Sequence, residues 1–400
     1  MHLPSVAMLN LRGVNNRNEP DSRTMVGFAM FNISFTLMLF PQYISDVYPH
    51  GHEVMGKMIA CWGAGAFIGL WLFRSLRGMR RLSCWGGSLL LLYAILMLLA
   101  PAYVSVVLLA CTLFLLGIIH SCLCRLLSLW AVPYQASFSR CRQPERWPLS
   151  LIIGEVAGIS LAALMPDPVR GISLGGLGGL AAAIFYGYPL PGGRVVSDVT
   201  AARYRPVMEL MVTRRLSMVI GWGSICLASH MLFLSFPVLM RTLFDFPAWK
   251  SGMVMAVADL IVLGFYPWMS VLRRRRGAGW VWLGASIISL FMFLLFSFCA
   301  VSLIASIMVM LSVHCCWLVF VISSVPQGIA AFCGASGGAS VPYSVIFFSS
   351  LAYLPAGLLN SYLTITLGMA YLPLFAAGIC LVGIACVLGG QVLSAMTPGR

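Results

Sequence analysis

The sequence predicts an all-α membrane protein whose twelve transmembrane helices form two six-helix repeats. Three observations carry this reading. Hydrophobic residues make up 60% of the chain and charged residues only 9%, and the mean hydropathy of +0.94 lies far outside the soluble globular range. Apolar runs long enough to cross a bilayer, which takes about twenty residues at about 1.5 Å each, recur through the whole chain. A cluster of arginines between two such runs, Arg74, Arg77, Arg80 and Arg81, returns roughly two hundred residues later as Arg273 to Arg276.

The runs fall near 25–45, 58–73, 82–100, 104–124, 148–166, 171–188, 217–240, 252–272, 280–297, 300–324, 341–359 and 369–391. The last two are the least sharply separated, because the stretch Ser361 to Gly368 can extend either one. The first twenty-four residues are polar and lack the basic start, apolar middle and small-residue cleavage site of a signal peptide, so the first run is expected to stay as a span. The longest connection, 189–216, is rich in Arg and Gly and follows the sixth run. It divides the chain into a cytoplasmic tail (1–24), an N-terminal six-helix bundle (25–188), a cytoplasmic linker (189–216) and a C-terminal six-helix bundle (217–400).

The net charge of +14 reflects topology rather than a nucleic-acid surface. Only Lys57 and Lys250 are lysines, and the arginines sit in short loops between spans. With the N-terminus in the cytoplasm, all basic residues except Lys57, Arg170, Arg241 and Lys250 fall on the inner side, which also places the C-terminus there. The expected location is the inner, cytoplasmic membrane, as a monomer with the bilayer around it.

Of thirteen cysteines, Cys61, Cys111, Cys226, Cys299, Cys380 and Cys386 lie inside apolar runs, where a small polarizable side chain packs. Cys122, Cys124 and Cys141 gather near one end and Cys315 and Cys316 are adjacent, but no CxxC or Cys/His ligand spacing occurs, so neither metal nor cofactor is expected. No Walker loop, HExxH or GxSxG motif is present, which argues against ATP hydrolysis and those hydrolase chemistries.

Ionisable groups inside a span cost a few kcal/mol by insertion scales, about 3 for an acid at the centre, and so face a cavity or a partner. Two acids qualify: Glu155, midway along the fifth span, and Asp259, in the outer half of the eighth. Each is either a proton carrier or a hydrogen-bonded packing residue. His120, His230 and His314 lie in the fourth, seventh and tenth spans, where a lone histidine commonly makes an interhelical hydrogen bond. Trp222, Tyr266, Trp268, Trp317 and Tyr343 can stack on a flat substrate or anchor helices at the interface. Arg125 ends the fourth span, placed to snorkel to the surface or to hold an anion. Gly171, Gly175 and Gly179 repeat at every fourth position of the sixth span, a smooth face for close packing.

Twelve spans, a central loop and duplicated basic loops after the second and eighth spans resemble the major facilitator superfamily over essentially the whole chain. That family's loop motif runs from a glycine to an acid and arginine, a second glycine and further basic residues. Here Gly69, Arg74 and Arg77 match and Arg80 and Arg81 follow, while Phe73 stands at the acidic position and Leu76 at the second glycine. The resemblance implies a gating role for Gly69, Arg74, Arg77, Arg80 and Arg81. It also implies a midplane cavity lined by the first, fourth, seventh and tenth helices, which carry Asn32, His120, His230 and His314. Compact loops and length are similar to the siderophore and drug exporters of that superfamily, although the fifth span lacks the Gly-Pro motif of the drug/proton antiporters.

The expected function is that of a secondary active transporter, not an enzyme, exporting a small organic molecule such as a siderophore or drug by alternating access driven by protons. Its pathway residues are Asn32, His120, Glu155, His230, Asp259 and His314. The alternatives are an importer of the same fold, a non-transporting permease homologue, and a membrane-embedded enzyme acting on lipids, which needs a polar catalytic cluster at one membrane face.

Overall fold

A computed structural model of the chain describes residues 22–48, 51–75, 82–102, 105–138, 146–187, 216–276, 278–299, 302–316 and 341–395. The basic loop residues Arg77, Arg80 and Arg81, the linker residues 189–215, the tail before residue 22, and Trp317 lie outside them. So do the side chains of Arg74, Arg125, Trp222, Tyr266 and Tyr343.

Twelve helices and no strand occur among the described residues. They are α1 (Ser22–Val47), α2 (Gly51–Ser75), α3 (Leu82–Leu99), α4 (Val106–Phe138), α5 (Arg146–Ala163), α6 (Pro168–Gly187), α7 (Leu216–Phe244), α8 (Ala248–Arg276), α9 (Ala278–Cys299), α10 (303–316), α11 (Val341–Thr366) and α12 (Leu372–Ala395). A helix keeps every backbone hydrogen bond inside its own segment, which is what a chain in hydrocarbon requires. Val106–Leu123, Gly223–Phe244 and Met369–Gly389 are described stretches long and apolar enough to cross a membrane by length and composition. Phe298, Ile304 and Val107 expose 77%, 75% and 72% of their surfaces, an arrangement suited to lipid rather than water.

Several helices outrun their apolar stretches. α2 begins at Gly51 rather than 58, carrying Glu53 and Lys57 in its first turns, and α4 runs on to Phe138. Hydropathy marks the hydrocarbon, whereas a helix continues into the interface for as long as its backbone stays bonded. Ser361 to Thr366 belong to α11. It stops where the N–H groups of Leu367 and Gly368 both donate to the carbonyl of Leu363, at 2.9 and 3.0 Å, and Gly368 takes φ 91°, which glycine adopts without a steric penalty.

Helix packing repeats with a shift of six. α1 packs on α5, α6 and α2 as α7 packs on α11, α12 and α8, and α3 meets α6 as α9 meets α12. Two extensive contacts cross between the repeats, α2 with α11 and α5 with α8, and the same shift exchanges them. A two-fold axis along the membrane normal has this effect on a parallel repeat. The glycine stripe of α6 faces inward: Gly171 lies on Leu39, Gly175 on Phe35 and Gly179 on Ala94, seating α6 against α1 and α3.

The named contacts between repeats lie from mid-membrane toward the end that carries the α1–α2 and α7–α8 turns. At the α2–α11 seam, Gly56 and Gly357 approach so closely that a Cβ on Gly56 would lie 2.5 Å from the carbonyl oxygen of Gly357, and Ser361 Oγ donates to the Glu53 carbonyl at 2.9 Å. At the α5–α8 seam, a Cβ on Gly252 would lie 2.9 Å from Cβ of Ala163.

Candidate functional site

The two acids predicted to lie inside spans belong to different repeats, Glu155 on α5 and Asp259 on α8, helices that pack against each other. The tight approach of Gly252 to Ala163 fixes the register of the two antiparallel helices. From there Glu155 is eight residues back along α5, about 12 Å, and Asp259 seven residues on along α8, about 10 Å. Seven residues is close to two full turns, so Asp259 shares the face of α8 that Gly252 turns to α5. Asp259 is fully buried, whereas Glu155 is only partly so.

His314 completes the arrangement from α10. Its Nε2–H donates to Asp259 Oδ1 at 2.7 Å, and both side chains are buried. The ring of Phe233 on α7 stands edge-on to the imidazole at 4.7 Å, closing it off on that side. Cys315 Sγ, one residue on, donates to the Ala258 carbonyl at 3.5 Å and holds α10 against α8 beside the acid. Asp259 Oδ2 and His314 Nδ1 are buried without a hydrogen-bond partner among the described residues. In an apolar setting such atoms are costly, so both are open valences for an ordered water or a polar group of a substrate. Among the described residues no group of three or more His, Cys, Asp or Glu side chains is placed to hold a metal ion.

The other pathway candidates do not join this cluster. Asn32 donates to the Phe28 carbonyl of its own helix at 3.0 Å, its carbonyl accepts from Tyr93 of α3, and its Oδ1 points toward Gly178 of α6. His120 stands edge-on to Trp62 of α2 at 5.6 Å between ring centres. His230 donates through Nδ1 to the Cys226 carbonyl at 2.7 Å, which fixes the proton on that nitrogen, and packs edge-on against Tyr353 of α11 at 4.3 Å. Of the four polar residues on the first, fourth, seventh and tenth helices, His314 meets the acid Asp259. Gly69 of the loop motif is a contact between α2 and α4: its carbonyl accepts from Cys122 Sγ, and a Cβ there would meet Ile118 and Ser121. Trp268 is exposed on α8.

Sequence reasoning passed over two polar links. Asn360 of α11 donates to the Met231 carbonyl and to Ser235 Oγ of α7, at 2.9 and 2.6 Å. An asparagine in an apolar run is itself the signal for such an interhelical bond. Arg241 at the end of α7 pairs with Asp46 at the end of α1, across the repeats.

Two six-helix repeats related by an axis along the membrane normal, joined at α2–α11 and α5–α8, are a major-facilitator-type fold. The chain is similar in structure to the nucleoside transporter NupG (TM-score 0.69, 13% identity, covering 92% of this chain and 98% of that one) and to a mutant of that transporter (TM-score 0.71, 13% identity, with the same coverage). It is also similar to a bacterial homologue of the iron transporter ferroportin in an inward-facing state (TM-score 0.66, 14% identity, covering 92% and 97%). Neither a protein-family model nor a curated protein sequence matches the chain.

Proposed function

We propose that this protein is a secondary active transporter that exports a small organic molecule, of the siderophore or drug class, by alternating access in exchange for protons. It sits as a monomer in the cytoplasmic membrane with both termini inside, the bundles 25–188 and 217–400 rocking about the two seams. The observation that carries the reading is the buried Asp259–His314 pair between α8 and α10: an acid in a span costs a few kcal/mol, about 3 at its centre, and so faces a pathway or a partner. The likeness to two transporters supports the same class through the fold.

The experiment is transport by the purified protein in liposomes with an imposed pH gradient, using panels of siderophores, drugs and nucleosides. Glu155→Gln is expected to fold and insert, to lose gradient-driven movement, and to keep exchange down a substrate gradient. Wild-type driven rates in that variant would return Glu155 to a packing role, and movement toward the cytoplasm would make the protein an importer.

A further inference from the structure

We infer that the Asp259–His314 pair is the subsite that recognises the substrate, and that it takes an organic amine, an ammonium group carried on an apolar body. The inference rests on the transporter reading and narrows its substrate class, toward amine-bearing drugs and away from acidic chelators. Its content comes from the valences of two bonded side chains. The imidazole gives its Nε2–H to Asp259 Oδ1 at 2.7 Å, so with one proton on the ring Nδ1 holds a lone pair. Asp259 Oδ2 holds others, and both atoms are buried with no hydrogen-bond partner among the described residues. The two open valences are therefore acceptors. A carboxylate or phosphate on a ligand finds no donor in them, whereas N–H groups satisfy them.

Charge points the same way. Among the described residues His314 is the one ion-pair partner of Asp259, and no lysine or arginine reaches the pair. A carboxylate beside an imidazole with a single proton amounts to one negative charge in an apolar setting, which is costly unless a cation meets it. A ligand ammonium supplies both the missing N–H and the missing charge. The walls around the pair are suited to an apolar body: the ring of Phe233 stands edge-on to the imidazole at 4.7 Å, and Cys315 Sγ is turned back to the Ala258 carbonyl. Asp259 lies two turns along α8 from Gly252, on the face that Gly252 turns to Ala163 of α5 and Met38 of α1. A ligand held by its carboxylate therefore lies toward the opposite repeat. Asp259 shows none of its surface and His314 only 3% in this state, so the amine enters when α5 and α8 part and is held away from water once they close.

Equilibrium binding to the full-length protein in lipid nanodiscs tests this, with aryl-alkyl amines of increasing size as probes, each beside the alcohol and the carboxylate of the same skeleton. The wild type should bind the amine roughly ten- to a hundred-fold more tightly than the alcohol, the worth of a hydrogen bond to a charged group, and the carboxylate more weakly than either. Asp259→Asn keeps an acceptor for His314 but sets an N–H donor where Oδ2 stood, so it should bring the amine down to the level of the alcohol. His314→Gln keeps both the donation and an acceptor and should keep the preference. A merely structural role would weaken all probes alike, so the ratio of amine to alcohol is the readout. Should Asp259→Asn fail to fold, hydrogen exchange on the wild type decides: the amine should slow exchange in peptides covering 255–262 and 303–316 but not 372–389. Equal wild-type affinity for amine and alcohol, an amine preference undiminished in Asp259→Asn, or protection confined to other segments would overturn the inference. An amine preference in a protein that moves no probe across a liposome membrane would leave the subsite standing and remove the transport reading. Driven movement of acidic or neutral molecules with no preference for amines would do the reverse.

Discussion

Arg241 closes α7 onto the carboxylate of Asp46 at the end of α1, joining the first helix of one repeat to the first helix of the other. Both side chains are substantially exposed, so the pair contributes about 1 kcal/mol at most to folding. Because the pair joins the first helices of opposite repeats, separating the repeats at this end would have to break it. Asp46→Asn should leave thermal stability nearly unchanged and raise the open population at this end up to about five-fold, as the same energy applied to a two-state balance requires. Hydrogen exchange of 240–246 reports it. The charge-swapped double variant Asp46→Arg with Arg241→Asp should restore wild-type protection; failure to restore it would show that the pair is incidental.

The α2–α11 seam depends on missing side chains. A Cβ on Gly357 would collide with Ala60 N and the Gly56 carbonyl, whereas one on Gly389 meets nothing within 4 Å. Gly357→Leu should therefore destabilise by about 1–3 kcal/mol as an overpacked contact, while Gly389→Leu should not. Thermal unfolding in a single detergent compares the two variants directly, and equal losses would mean that the seam yields more easily than its geometry implies.

Orientation follows from the basic bias. Alkaline phosphatase fused after Arg77 or Arg275 should be inactive, and fused after Pro49 or Pro247 active. Activity at either arginine cluster would invert the topology.

The architecture was legible in the sequence because hydrocarbon imposes both the length of each span and the sidedness of its arginines; twelve runs and a repeated arginine cluster left few arrangements open. Helix ends were less legible. Glu53 and Lys57 interrupt the apolar pattern but not the helix, so α2 starts earlier than hydropathy indicates, and the end of α11 is set by the backbone of Gly368 rather than by polarity. The two acids stood out individually because each is rare in such a setting. That their helices pack against each other did not, since α5 and α8 meet at a seam between repeats. A similar gap explains why His230 and His314 looked alike in sequence: one bonds its own helix and the other reaches an acid on α8.

The role of His314 separates positioning from proton carriage. Its Nε2–H donates to Asp259 Oδ1, and Phe233 stands edge-on to the ring, so the imidazole fixes the orientation of the Asp259 carboxylate. An amide can make the same donation without titrating. His314→Gln should therefore keep gradient-driven transport within a few-fold of wild type. His314→Ala leaves Asp259 without that donor, and losing a hydrogen bond to a charged group costs about 1.5–3 kcal/mol, which corresponds to a fall of roughly ten- to a hundred-fold in the driven rate. Substrate exchange without a pH gradient should change much less in both variants, because that mode needs the seam to move but no proton to cross. If His314→Gln loses driven transport as fully as His314→Ala, the imidazole itself carries the proton. Measuring driven flux and exchange side by side in the same liposomes, for both variants, distinguishes the two.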